Sequence, residues 1–426
     1  MQRYFDDIVR EIQTIIGYDS SLAPASEGAP FGRATADCLD YFLNLAQTMG
    51  FETHNYDGYA GEVIFGEGKE FAILAHLDVV PAGNGWHYPP FGGVISDGKL
   101  YGRGTMDDKG PAIICLYCLY ALKEQGFLPK RKFKLIVGCN EETGWKCMEH
   151  YQKVASMPEE GFTPDADFPV IYAEKGIAHL ALQFPIKNPL FSDMGGGNAS
   201  NMVCDFAVAT GEVPSFSAYQ NPVVGTQLSY ADGVLTAKGV SAHGSTPDKG
   251  ANALQALLRY FAQTDGDCAY AYDVLFSDRL RLKEMHDVTG YLTMSPNVAK
   301  YQENALTVTV DFRYPATHQL KEITDRLTAE GISYTVIHEQ SPLFNSPDGE
   351  LIQTLLGVYN RVTGRTVKPV AIGGGTYARV LKCGCGFGPE GEGEPSTIHQ
   401  PDEYITLQKI RELSQIYYLA IKEIGK

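Results

Sequence analysis

Short apolar runs that alternate with a helical run constrain this chain more than any other feature. FAILAH (71–76), RKFKLIVGCN (131–140) and PVIYAE (169–174) each read as a buried strand of a parallel sheet. Between the first two lies PAIICLYCLYALKEQG (111–126), a helix opened by a proline and closed by Gly126. Strands alternating with helices imply an α/β fold around a mostly parallel sheet. Such sheets bind ligands at the carboxyl ends of their strands. Polar residues gather at those places. His76 ends the first run and Asp78 follows it. Glu141 and Glu142 follow the second run, Asp165 lies in the loop before the third, and Asp107 stands just before the helix.

The residue types are informative. His76 in AHLDVVPAG, Asp107 in GRGTMDDKGP, Glu142 in NEETGW, Asp165 in TPDADFP and His399 in STIHQPDEY supply imidazoles and carboxylates. Taken singly, a surface Glu pair is usually solvated, and a buried His is often only hydrogen-bonded. Taken together they form the donor set that two zinc ions need. Imidazole nitrogen and carboxylate oxygen suit Zn²⁺, and a catalytic site keeps one position for water. Glu141, directly before Glu142, is the natural general base for that water. Asp78, two residues after His76, is placed to orient the imidazole.

A chain of 426 residues is too long for one core and implies two domains. Residues 1–177 carry the strand–helix alternation, 178–343 change character, and 344–426 must return because His399 belongs with the metal-binding residues. In the middle segment LTVTVDFRY (306–314) alternates as a half-exposed antiparallel strand does, and ANALQALLRYFAQ (251–263) reads as a helix along it. Arg313 shares a strand face with Thr307, Thr309 and Asp311, where a guanidinium could meet a carboxylate through two prongs. DGELIQTLLGVYNRVTG (348–364) is a helix ending at Gly364.

Composition excludes several classes. The net charge of −16 argues against nucleic acid as a partner and otherwise speaks for solubility. No apolar run reaches the length of about 18 residues that a membrane helix needs, so no membrane partner is expected. The opening MQRYFDDIVREIQTIIGYD is an amphipathic helix without the features of a signal peptide, and a cytoplasmic location is the expectation. Nine cysteines are an odd number for such a compartment, and disulfides are not expected. Cys115 and Cys118 have redox-motif spacing but fall inside an apolar helix, which favours packing. Gly102-Arg-Gly104 opens like a dinucleotide loop, but Asp107 stands where the third glycine belongs, and no phosphate-binding G-x-x-x-x-G-K-[ST] occurs.

The motifs APFG, NYDGYAGEVIFGEG, HLDVVPAG, GWHYPPFGG, DGKLYGRGTMDDKGP, EETGWKCMEHY, TPDADFPVIYAEKG, NMVCD, GVSAHGSTPDKGANA, DFRYP, GGGTYAR and HQPDEYI span almost the whole chain. In them the sequence resembles the dizinc aminoacylase, carboxypeptidase G and carnosinase superfamily, peptidase family M20. The likeness is closest to its bacterial dipeptidase V branch. The resemblance implies a zinc-hydrolase catalytic domain with an inserted α+β lid, an antiparallel sheet with helices on one face. It implies two zinc ions per chain, with manganese or cobalt as alternatives. Asp107 would bridge them, His76 and Asp165 would complete one site, and Glu142 and His399 the other. The context PDA-x-FP puts the ligand on Asp165 rather than Asp167. The peptide after Asp107 is expected to be cis.

From the lid the resemblance implies His243 as oxyanion donor and Asn201 as a donor to the substrate. Cys204 stands where the family often has proline. Gly374 and Thr376, in GGGTYAR, would hold substrate near Arg379. The implied activity is hydrolysis of dipeptides, small peptides being the substrate and a monomer the favoured state, with a homodimer as the alternative. The alternative is an amide hydrolase acting on N-acyl amino acids, because the same metal chemistry serves both. A catalytically dead scaffold is opposed by the intact Glu141 and the complete ligand set.

Overall fold

The structure, a computed structural model, describes residues 1–187, 189–214, 216–391 and 395–426. The chain divides into two compact units. One comprises Met1–Tyr172, Asn345–Val370 and Thr376–Lys426; the other comprises Ala173–Phe344 and Ala371–Gly375. A boundary at residue 177 would cut a strand, since Gly176–Pro185 pairs along its whole length with Ala305–Tyr314.

The first unit is built on a mixed sheet. Its strands run in the order Glu52–Tyr56, Ala60–Phe65, Arg131–Gly138, Lys69–His76, Glu160–Thr163 and Cys383–Gly386. The last four pair in parallel, and the first two form an antiparallel hairpin on the flank. Asp57 and Gly58 turn that hairpin with φ of 55° and 74°, the left-handed conformation that tight hairpins use. Lys69–His76 and Arg131–Gly138 are buried over their last six residues, as their uninterrupted apolar sequence requires. The helix Lys109–Glu124 packs on these strands and against Leu407–Ile424. It is buried nearly all round, Cys115 and Cys118 included.

Two strand assignments differ from the sequence expectation. Ile171–Glu174 is a strand, but Ile171 pairs antiparallel with Gly386, because apolar content carries no information about direction. Cys383–Gly386 has no strand signature, glycine being poor in β-propensity. It lies beside Glu160–Thr163 because no other residue fits: a Cβ on Gly384 would sit 2.0 Å from the Ala378 carbonyl oxygen.

The second unit holds an eight-stranded antiparallel sheet, with Ala305–Tyr314 between Thr293–Gln302 and Gly176–Pro185. Leu306, Val308, Val310 and Phe312 point into a core shared with Leu254, Leu257, Leu258 and Phe261 of the helix Ala253–Phe261. Asn252 caps that helix by accepting from the Gln255 amide. Helices Gly266–Phe276 and Leu320–Ala329 join the same core. No helix among the described residues is long and apolar enough to cross a membrane.

Candidate metal centre

Two parallel strands end side by side, with His76 opposite Gly138. Their carboxyl ends therefore deliver His76, Asp78, Glu141 and Glu142 to one place. His76 is fully buried. Its Nδ1 donates to the Asp78 carbonyl oxygen at 2.9 Å, which turns Nε2 toward Asp107 Oδ1 at 2.8 Å. The Asp107 carboxylate faces a second imidazole with its other oxygen, Oδ2 lying 2.9 Å from His399 Nε2. Asp165 Oδ2 lies 3.6 Å from His76 Nε2, and Glu142 Oε1 lies 3.2 Å from His399 Nε2. Asp167 is exposed and pairs in a short strand with Glu390, so Asp165 is the aspartate of that pair that reaches His76.

The loop before the helix is tightly folded around Asp107. Gly104 has φ of 90°, and a Cβ on Gly110 would sit 2.1 Å from the Thr105 carbonyl oxygen. The Asp107–Asp108 peptide is cis, as the resemblance implies. Asp108 points back and accepts the His76 amide at 3.1 Å.

Asp78 does more than orient the imidazole, whose Nδ1 stands 3.5 Å from Oδ1 of the Asp78 carboxylate. That carboxylate accepts the amides of Glu141 at 3.0 Å and Glu142 at 3.1 Å, while its carbonyl holds His76. One residue thus ties both strand ends together. Trp145 donates its indole N–H to Glu141 Oε1 at 3.1 Å.

The electrostatics follow from crowding like charges out of water. Burial, then the Asp107 charge, pushes Glu142 up to about 7. Burial and the neighbouring carboxylates raise Glu141 well above the usual carboxylate range. Hydrogen bonds to Asp107 and Glu142 raise His399 to about 10. Burial opposes the charge on His76, but bonds to Asp107, Asp165 and Asp78 hold its pKa well above that of free imidazole. Asp107, between two imidazoles, is held well below the usual range despite its burial.

This donor set fits divalent ions. Atoms of His76, Asp107 and Glu142 lie within 4.8 Å of one another, as do those of His76, Glu141 and Asp165. Ligands on a tetrahedral zinc with bonds of about 2.0–2.1 Å stand roughly 3.3 Å apart, close to the separations found here. A cation takes neutral imidazole, so its uptake at pH 7 must expel protons from His76 and His399. Fewer protons compete as pH rises, so apparent affinity should rise with pH and fall in acid. Calorimetry at pH 7 in buffers of different ionisation enthalpy is expected to report net proton release, from the two imidazoles and from the raised Glu142 carboxyl. A binding enthalpy independent of buffer would contradict this.

The remaining site residues fall into the second unit, Thr376 excepted. The polar face of Ala305–Tyr314 is closed rather than half-exposed at its end. Asp311 accepts from Arg313 Nε at 2.8 Å and Nη2 at 3.0 Å, and both side chains are buried. His179 Nε2 stands 3.6 Å from the same carboxylate. Gly244 abuts it, since a Cβ there would lie 2.4 Å from Asp311 Oδ2. The Gly244 amide donates to the Asn201 carbonyl at 2.7 Å, and Met202 bridges His243, so Asn201, His243 and Arg313 are neighbours. The Ser245 amide donates to His243 Nδ1 at 3.1 Å, leaving Nε2 to carry the proton. Burial and the Arg313 charge lower the His243 pKa, which keeps the ring neutral at pH 7. Asn201 is exposed, and Cys204 sits in the core behind it. Gly374 belongs to the second unit. Thr376 belongs to the first, where its hydroxyl accepts the Ala378 amide at 3.2 Å.

Sequence reasoning missed Trp145, Asp108, Arg103 and Glu403. Only Trp145 carried a local signal, standing one helical turn after Glu141.

Comparison with known proteins follows the same lines. The pattern of Peptidase family M20/M25/M40 matches residues 72–423. A Bacillus subtilis (strain 168) protein named "Putative dipeptidase YtjP" is 34% identical, the match covering 99% of this chain and 98% of that protein. Among solved structures, the M20 family metallo-carboxypeptidase Sso-CP2 from Sulfolobus solfataricus superposes with a TM-score of 0.61 at 13% identity, over 98% of this chain and 99% of that one. The di-peptidase Dug1p from Saccharomyces cerevisiae gives 0.60 at 12% identity, over 100% and 97%. At such identities the structures speak for the fold alone.

Proposed function

From its membership of the M20/M25/M40 peptidase family, to which this chain belongs, we propose that the protein is a dipeptidase using two divalent ions, zinc in the first place. The observation that carries the reading is Asp107, whose two oxygens face two different imidazoles, each with a further carboxylate beside it. When bound, the ions would lower the pKa of a water and polarise the scissile carbonyl. Glu141 takes that water's proton and passes it to the leaving amine. Asp78 and Trp145 hold Glu141 for the task, by its amide and by its carboxylate.

The second unit serves as the lid. Neutral His243 donates Nε2–H to the developing oxyanion. Asp311 occupies the Nε–Nη2 edge of Arg313. The end edge, Nη1 and Nη2, is the one that takes the C-terminal carboxylate of a short substrate. Asn201 is a further donor, and Gly374 and Thr376 are assigned to the substrate backbone on the resemblance alone. A carboxylate clamp fixes the distance to the scissile bond, so dipeptides are cleaved well and longer peptides poorly. The dipeptide preference is also supported by the name of the Bacillus subtilis relative.

Activity on dipeptides, tripeptides and N-acyl amino acids, with metal content measured on the same sample, tests the reading. Preference for N-acyl amino acids would replace it by the deacylase alternative. The clamp has its own test. Arg313→Ala should lower kcat/KM for a dipeptide by about 10- to 100-fold, the range for losing a charged hydrogen bond. The same change should cost hydrolysis of the C-terminal amide of that dipeptide less, the shared part of the loss coming from Asp311 and His243 deprived of the Arg313 charge. Equal losses on both substrates would remove Arg313 from the carboxylate.

A further inference from the structure

Glu403 is fully buried, and its carboxylate is saturated with donors. Oε1 accepts the amides of Gly104 at 3.0 Å, Met106 at 3.0 Å and Asp107 at 3.4 Å. Oε2 accepts Arg103 Nη1 at 2.7 Å. The Glu403 carbonyl takes the Gly102 amide at 2.9 Å. Every one of these donors lies on the loop that ends in Asp107. Arg103 is itself buried, with its guanidinium 5.3 Å from the Trp86 ring. Next to Glu403, Asp402 accepts the amides of His87 at 2.8 Å and Tyr88 at 3.2 Å.

His399 precedes Asp402 by three residues and Glu403 by four. It lies on a turn outside any helix or strand, with φ of 62° and its side chain 48% exposed. Local structure therefore does little to fix the distance from His399 to Asp107. Glu403 does, because the carboxylate that holds the Asp107 loop stands on the same short segment as His399.

We infer that Glu403 is a positioning residue that sets the spacing between the Asp107 and His399 arms of the metal centre, with Arg103 as its counter-charge. The inference rests on the metal-dependent reading above. A carboxylate is suited to this place because it is an acceptor at every lone pair. Glutamine keeps the shape but turns an amide NH₂ toward donors, which loosens the loop without emptying the space. Groups that orient metal ligands typically change metal affinity by about 10- to 100-fold when replaced.

The test is titration of apo wild type and Glu403→Gln with Co²⁺, following its visible absorption, with far-UV circular dichroism and apo Tm measured alongside. The expected result is a folded variant with an apo Tm within a few degrees of wild type. Its Co²⁺ affinity should be lower by about 10- to 100-fold and its absorption bands altered. Unchanged affinity and bands in a folded variant would overturn the inference. So would a variant whose affinity and apo Tm fall together with unaltered bands, because that is stability alone. Should Glu403→Gln fail to fold, Arg103→Gln is read by the same criteria. Wild type that binds no Co²⁺ would sink the metal reading and this inference with it. Two ions bound by wild type and equally well by the variant would sink the inference alone.

Discussion

Glu141→Gln is expected to keep its metal and lose about 10²- to 10⁴-fold in kcat, the usual contribution of a general base. The side chain has the position for the role. Its amide is fixed by Asp78 at 3.0 Å and its carboxylate by the Trp145 indole at 3.1 Å, so it is aimed rather than free. Its acid neighbour Glu142 faces His399 instead, at 3.2 Å. Geometry alone also lets Glu141 join His76 and Asp165 around an ion. Metal content separates the two roles. A neutral amide is a poor ligand, so a ligand role predicts loss of metal in Glu141→Gln, whereas a base role predicts loss of turnover only. Glu142→Ala should show the opposite pattern, weaker metal binding first. If both variants lost metal alike, the division of labour between the two glutamates would be wrong.

His76→Ala should abolish activity and lower the metal content by at least one ion per chain. His76 belongs to both groups of potential ligands, and it donates to Asp107 and to the Asp78 carbonyl. Its removal leaves Asp107 Oδ1 without that donor in a buried place, which costs about 1–3 kcal/mol. The apo protein should therefore also melt at a lower temperature. Elemental analysis checks the first expectation, and thermal denaturation in chelator checks the second. An active variant with full metal content would remove His76 from the centre altogether.

Much of the catalytic unit was legible because its informative features are local. Apolar runs ending in His76 and before Glu141 could only be buried strands, and the ends of such strands are where a parallel sheet presents ligands. The helix Lys109–Glu124 was legible for the same reason, as was the alternation along Ala305–Tyr314. The strand Cys383–Gly386 was not. Its glycines are demanded by the closeness of Ala378, a contact that no propensity encodes.

What the sequence by itself determined is the chemistry available: imidazoles and carboxylates at strand ends, two adjacent glutamates after one of them, and an apolar stripe for each sheet. Tertiary structure decided what each polar group is bound to. The Asp78 carboxylate went to two amides 63 and 64 residues away as well as to the nearby imidazole. Arg313 closed on Asp311 at the buried end of a strand whose alternation alone suggested exposure. Glu403 met Arg103 across 300 residues. Periodicity reports which face of an element is apolar, because burial of apolar surface is non-directional. A hydrogen bond is directional and short, so its partner is settled only when distant segments have been packed to within about 3 Å.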